Sequence, residues 1–412
     1  SMIMRDRNHP SIIMWSTGNE VMERSGLSDG AAWSKKLADA VRELDKSRPV
    51  TNALCGFYED VILVDIEANT RSTAGEGKDY WANRSEKFCE PLDVVGYNYL
   101  LDRYEKDHEL YPDRVIMGTE SFPWKSFDYW DAVEKYPYVI GDFVWTAWDY
   151  FGESGLGHTS FEGEAGGLKE YPWHIANCGD FDICGRKRPQ SHYRDFIWTD
   201  RKQPYIAVQH PMHFGKEEKV SAWGWPDVTE SWSFPGYEGK KVKVSVYSAG
   251  DTVELLLNGR VLDRKPCGRA VKFIQEFEVE YQPGELMAVA YENNKEIGRA
   301  SLATADKPEN ILLYPENDIN NEDNIVYVEI LVTDRNNRLV PYAENEISVT
   351  VEGGRLLGLG SGKPDGSQNY KQSKGPAWQG RIMAVIQRDS SSNTVTVRAT
   401  GEGLKDGVLV LK

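Results

Sequence analysis

The sequence predicts a multidomain chain in which an α/β segment built on a parallel sheet precedes two all-β sandwiches. Three observations carry this expectation. The 412 residues exceed one ordinary domain. Up to about residue 200, short apolar runs alternate with helical stretches, the grammar of strands buried on both faces and joined by helices. After about residue 203, runs of alternating polarity are separated by turn signals, the grammar of antiparallel sheets.

Taken in order, "SIIMWS" (11–16) reads as a buried strand. "AAWSKKLADAVRELDKS" (31–47) reads as a helix with Trp33, Leu37, Val41 and Leu44 on one stripe, ended by Pro49. "VTNAL" (50–54), "DVVGYNYL" (93–100), "RVIMGTES" (114–121) and "GDFVWTAWDYF" (141–151) supply four more strands, with "SFDYWDAVEKY" (126–136) a helix between the last two. Such a sheet is either open or closed into a barrel. Beyond it, "KKVKVSVYS", "DTVELLLNGRVL" and "FIQEFEVEY" alternate with turn signals at Asn258-Gly259, Pro283-Gly284 and Asn293-Asn294. "NIVYVEILV", "EISVTVEGG" and "NTVTVRATGEG" repeat that grammar after an expected linker, "ADKPEN" (305–310). The ranges 203–304 and 305–412 each have the size of an immunoglobulin-like sandwich.

Composition narrows the partners. With 40% hydrophobic and 27% charged residues the chain has the balance of a globular protein. A formal charge of −16 argues against nucleic acid or an anionic membrane surface, which need clustered Lys and Arg. No apolar run is long enough to span a bilayer as a helix. Thirteen Trp and 21 Tyr suit the faces of sugar rings, although cores use such residues more often. Cys55, Cys89, Cys178, Cys184 and Cys267 show no metal-ligand spacing, so neither a metal nor another cofactor is expected. Cys178 and Cys184 could bridge in an oxidising compartment, but unpaired buried thiols are the expectation.

Ligands of parallel α/β folds gather at the carboxyl ends of strands, so polar residues that end apolar strands are functional candidates. Asn19-Glu20 ends one strand and Glu120 another. Tyr97 and Tyr99 stand at a third strand end, Trp145 and Trp148 at a fourth. A strand-end carboxylate is often just a helix cap or an ion-pair partner. Two in matching positions beside aromatic platforms are what glycoside hydrolysis requires. Asp149, Glu153 and His158 follow the Trp145 strand as weaker candidates, and His174 reads as structural.

"RDRNHPSIIMWSTGNE" and "VIMGTES" resemble the acid/base and nucleophile regions of glycoside hydrolase family 2. The likeness continues through "GDFVWTAWDYFGESG" and "CGDFDICGRKRPQSHYRDFIW" into "WGWPDVTESWSFPGYEGKKVKVSVYS" and "ELLLNGR", and so covers essentially the whole chain. It implies that residues 1–202 are the C-terminal portion of a (β/α)8 TIM barrel, about strands four to eight, followed by immunoglobulin-like domains over 203–304 and 305–412. It also implies Glu20 as general acid/base, Asn19 as donor to the sugar 2-hydroxyl, Glu120 as nucleophile, Tyr99 as hydrogen-bond partner of Glu120, and Trp145 as the platform under the ring. The expected reaction is a retaining double displacement by two carboxyls about 5–5.5 Å apart, with Glu20 holding a proton near neutrality and Glu120 ionised.

A full barrel needs about 250 residues, so the resemblance further implies that this chain is a fragment of a longer enzyme with an incomplete active site, expected to self-associate or to pair with its missing N-terminal half. The similarity of the C-terminal extensions favours a terminal β-D-galactoside as substrate. β-Mannosidase and β-glucuronidase are the alternatives within the family, the latter disfavoured because its N-x-K motif is missing where Cys178–Asp180 stand. A catalytically inactive carbohydrate-binding or surface module is the alternative outside it. Family members of this kind are usually exported, which implies a periplasmic or cell-surface location.

Overall fold

The computed structural model describes residues 2–21, 29–56, 80–316 and 324–412, arranged as two compact units, Ser1–Thr146 and Ala147–Lys412. The first unit is a parallel sheet of β1 (Trp15–Asn19), β2 (Val50–Leu54), β3 (Val94–Asn98), β4 (Ile116–Ser121) and β5 (Val139–Val144), paired in that order. Helix α1 (Met2–Asp6) precedes it, and α2 (Gly30–Leu44), α3 (Tyr80–Cys89), α4 (Tyr104–Leu110) and α5 (Ser126–Lys135) occupy the successive connections. Sequential parallel order with a helix in each connection is the βα repeat expected from the alternating sequence pattern. The sheet is open: among the described residues β1 pairs with β2 alone and β5 with β4 alone.

Three elements differ from the sequence expectation. The first strand starts at Trp15 rather than at residue 11, and Ile13 is left exposed. The last strand ends at Val144, so Trp145 follows it instead of lying within it. Helix α2 buries Ser34, Ala38 and Val41, while Trp33 and Leu37 are exposed. The reason is close packing: small residues at i, i+4 spacing let α2 approach its neighbour, and Ser34 Oγ donates to the Phe88 carbonyl of α3 at 2.7 Å.

The core beneath the sheet is sealed by polar links as well as apolar contact. Trp15, on β1, donates its indole N–H to Asp45 Oδ2 at 2.9 Å just past the end of α2. Tyr97 is fully buried and donates to Asp107 Oδ2 at 2.5 Å. The other Asp107 oxygen accepts from Arg103 Nε at 3.1 Å, and Arg114 lies 3.4 Å from Oδ2. A buried carboxylate so placed neutralises two guanidinium groups that water cannot reach.

In the second unit, β6 (Ser160–Phe161) and α6 (Tyr193–Trp198) belong to a stretch of irregular chain fastened by the buried pairs Asp149–Arg188 and Asp180–Arg194. β7 (Tyr205–Val208) follows, and β8 (Glu218–Lys219) pairs back with β6. β9 (Lys241–Tyr247), β10 (Thr252–Leu257), β11 (Arg260–Pro266), β12 (Ile274–Glu280), β13 (Glu285–Glu292) and β14 (Lys295–Ala303) complete the first sandwich, with sheets in the orders β12-β9-β7 and β11-β10-β13-β14. Alternate residues Val242, Val244 and Val246, with Phe277 beside them on β12, face Val253, Leu255 and Leu286 of the other sheet in one core closed by Trp232. Asn258 and Gly259 have φ of 51° and 77°, the left-handed pair that a two-residue hairpin turn demands.

The second sandwich joins β15 (Asn310–Pro315), β16 (Ile325–Thr333), β17 (Glu346–Glu352), β18 (Gly354–Gly360), β19 (Lys374–Pro376), β20 (Arg381–Arg388), β21 (Val395–Gly401) and β22 (Gly407–Leu411). Its sheets run β15-β16-β20-β18 and β19-β17-β21-β22 around Val326, Val328, Ile330 and Val332. The expected linker is a bonded joint. The Ala305 N–H donates to Ser233 Oγ at 2.9 Å in the first sandwich, and the Asp306 N–H donates to Asp334 Oδ2 at 3.0 Å in the second. All five cysteines are free, including Cys178 and Cys184.

Replacing Asp107 with Asn keeps the shape of the buried network but removes the carboxylate charge that Arg103 and Arg114 share. The expected loss is about 3–5 kcal/mol of stability, seen as a lower urea midpoint for the transition of the first unit, with the second unit unaffected.

Candidate active site

Parallel strands deliver their carboxyl ends to one edge, and there the first unit collects its polar side chains. Glu20 follows β1, Asn98 ends β3 with Tyr99 next, Glu120 is near the end of β4, and Trp145 comes directly after β5. Register shifts interrupt the ladder at Ser16/Asn19, Tyr97/Asn98 and Gly118/Ser121, close to each of these positions. A bulge inserts a residue and re-aims the side chains beyond it. Glu20 and Tyr99 also take φ of 49° and 61°, in the left-handed region that costs a side-chain-bearing residue about 1–3 kcal/mol. Backbone bonds from Glu20 N–H to the Ala53 carbonyl (2.9 Å) and from Tyr99 N–H to the Glu120 carbonyl (2.8 Å) hold both in place.

Five of the residues form one hydrogen-bonded group. Tyr99 Oη donates to Glu120 Oε2 at 2.6 Å, with its ring stacked on Phe122 at 4.4 Å between centroids. Asn98, fully buried, donates through Nδ2 both to Asn19 Oδ1 and to Glu20 Oε1, each at 3.0 Å. Thr119 Oγ1 donates to Asn98 Oδ1 at 2.6 Å, which fixes which end of the Asn98 amide faces the site. With its oxygen occupied, the Asn19 amide is left to present its N–H2 end. Trp145 sits at the same edge, its N–H bonded to the Ser121 carbonyl at 3.1 Å.

Burial pushes the Glu120 carboxyl up to about 7, against the hydrogen bond from Tyr99. The charge of Glu20 adds to the rise, and hydrogen bonds from Asn19 and Asn98 oppose it. An ionised Glu120 is therefore reached only above about pH 7.

Of the sequence candidates, Glu20, Glu120, Asn19, Tyr99 and Trp145 gather at one sheet edge. Tyr97 does not join them. It points the opposite way along the strand and is spent on Asp107 in the core. Asn98, between the two tyrosines in "GYNYL", is the residue the sequence reading missed. Strand alternation sends Asn98 to the face opposite Tyr97, and the register shift at Tyr97/Asn98 with the left-handed backbone of Tyr99 brings Tyr99 to the site as well. In the second unit, Asp149 is buried against Arg188, Glu153 accepts from Tyr150 Oη, and His174 Nε2 lies 2.7 Å from Tyr370 Oη. His158 stands 3.8 Å from Glu164, and burial lowers its pKa. None of the described residues forms a metal-ligating cluster of three or more His, Cys, Asp or Glu.

Comparison with known proteins follows the same division. Residues 1–154 match the family model for the glycosyl hydrolases family 2 TIM barrel domain, and residues 316–410 match glycoside hydrolase family 2 C-terminal domain 5. Residues 239–298 match a domain of unknown function. A β-galactosidase of Bacteroides ovatus is 26% identical over 99% of this chain and 50% of its own length. A β-glucuronidase of Sus scrofa is 43% identical over 36% of this chain and 24% of its own length. Among solved structures, a glycosyl hydrolase family 2 member from Bacteroides cellulosilyticus superposes with a TM-score of 0.85 at 34% identity, covering 100% of this chain and 50% of that one. The chain thus spans about half the length of these Bacteroides relatives.

Replacing Tyr99 with Phe removes a donor to the carboxylate without removing the ring. The Glu120 pKa is expected to rise above its value of about 7. Carboxyl-carbon NMR across a pH titration reads this directly, and an unchanged or lowered value would contradict the assigned bond. Its motifs, its sheet and its matched domains make this chain a member of glycoside hydrolase family 2.

Proposed function

We propose that the first unit carries the reacting carboxyls of a retaining β-glycosidase that releases terminal β-D-galactose. The observation that carries this reading is the single network in which Asn98 holds Glu20 while Tyr99 holds Glu120 at the same sheet edge. Glu120 attacks the anomeric carbon, and Glu20 gives its proton to the departing glycosidic oxygen. The product of this step is a glycosyl ester on Glu120. Glu20, now a carboxylate, takes a proton from water as that water attacks the same carbon and returns Glu120 to its free form. Asn19, its amide oxygen held by Asn98 and its N–H2 end facing Glu120, is the donor to the sugar 2-hydroxyl in this reading. Trp145 supplies an aromatic face for the ring.

The sugar is inferred from likeness to a relative named β-galactosidase over 99% of the chain and from the missing N-x-K motif where Cys178–Asp180 stand; a relative named putative β-glucuronidase matches 88% of the chain, so the motif carries the choice. Hydrolysis of aryl β-galactoside, β-glucuronide and β-mannoside by the chain tests this choice. The galactoside is expected to be cleaved fastest, and a faster glucuronide would overturn the assignment. Glu120→Gln is expected to abolish turnover. Glu20→Gln is expected to slow alkyl galactosides far more than aryl ones, because a good leaving group needs no proton. Activity is expected to fall as pH drops through about 7, since the attacking carboxyl then takes up a proton.

We also propose that the open sheet is completed by a partner, either a second copy or the segment that the longer relatives carry. Strands β1 and β5 each offer an unpaired side among the described residues, and Ile13, Ile140 and Phe143 are exposed beside them. Light scattering on the purified chain is expected to give a mass above 46.7 kDa. A strictly monomeric mass would remove self-association.

A further inference from the structure

The second unit contains a cavity of about 340 Å3 bordered by the turn after Asp182 and by the second sandwich, a size at the lower end of small-ligand pockets. We infer that this cavity is a binding site for a neutral sugar of one or two rings, separate from the sheet-edge carboxyls.

Its walls are built rather than incidental. Asp182 Oδ1 accepts the N–H groups of Cys184 (2.9 Å) and Arg186 (3.0 Å), which shapes the turn. The second sandwich presses against that turn at Gly362, where a Cβ would lie 2.6 Å from Asp182 Oδ2. Gln379 Oε1 accepts from Arg186 Nη1 at 3.0 Å, and the Gln379-Gly380 turn, with φ of 51° and 74°, presents Trp378 at the wall. Indole is the aromatic surface best suited to the C–H face of a pyranose.

Polarity selects the ligand class. Four carboxylates, Asp182, Glu230, Glu316 and Glu329, share the wall with Arg186, Lys187 and Arg381. A bare anion meets the first set and a bare cation the second. A neutral hydroxyl donates to a carboxylate and accepts from a guanidinium, so it suits both. Two polar groups are left for it. Arg186 Nη2 stands 3.8 Å from Glu230 Oε2, a loose ion pair too long for a direct hydrogen bond, so a ligand hydroxyl beside the pair can accept from the guanidinium and donate to the carboxylate. The Glu316 carboxyl has no hydrogen-bond or ion-pair partner among the described residues. Although the side chain is exposed on one side, partial burial raises its pKa, with Glu329 and Asp182 adding, and a donated hydroxyl offsets that rise.

Calorimetric titration of the full chain with galactose, glucose and mannose tests the assignment. At least one sugar is expected to bind saturably, with about tenfold weaker affinity in Glu316→Gln and loss of binding in Trp378→Ala. The same binding is expected to survive Asn98→Ala at the sheet edge. Circular dichroism checks that each variant is folded, and Glu316, an exposed side chain, supplies the arm that leaves packing intact. Binding that vanishes in Asn98→Ala and ignores Glu316→Gln, or no saturable binding by any of the three sugars, overturns the inference. Loss of hydrolysis has no bearing on it, so the two readings fail separately.

Discussion

Parallel pairing of β1 to β5 is the constraint on which the site depends. Each strand ends at the same edge, so residues separated by a hundred positions in sequence, Glu20 and Glu120, are brought to one surface by backbone hydrogen bonds. The register shifts near the strand ends then turn Asn98 toward Glu20 and Tyr99 toward Glu120. Local strain at Glu20 and Tyr99 is tolerated because the N–H of each is held by a carbonyl of the neighbouring strand, Ala53 and Glu120 respectively. Remove the pairing and neither carboxyl has a reason to face the other.

Electrostatics at that edge are a balance between water exclusion and hydrogen bonding. Burial favours the protonated form of Glu120, and Tyr99, Asn19 and Asn98 favour the ionised one. Burial wins in the free site, which differs from the simple expectation of a fully ionised nucleophile at neutrality. A carboxyl raised in this way is less hydrated, which in the proposed reaction makes it a better attacking group once it loses its proton. The same competition appears at Asp107, where two guanidinium groups stand against burial, but there the purpose is structural.

The second unit uses ordinary β chemistry to make a rigid body. Positive-φ residues close the hairpins, alternate apolar residues fill two cores, and the Ala305–Asp306 joint bonds to both sandwiches. The same unit encloses a polar cavity where the turn after Asp182 meets the second sandwich, the place of the proposed sugar site.

The sequence by itself determined the element types, the five strands of the parallel sheet, the hairpin turns and the positions of the strand-end carboxylates. Each of these depends on local periodicity or on a residue's own backbone preference, which a sequence displays directly. Tertiary structure alone decided that α2 buries Ser34 and Ala38 in place of Trp33 and Leu37, that Tyr97 serves the core while Asn98 serves the site, and that Glu120 holds its proton to about pH 7. Those outcomes depend on which neighbour arrives from elsewhere in the chain, on bulges that shift register by a residue, and on how much water the assembled walls exclude. No local pattern carries that information.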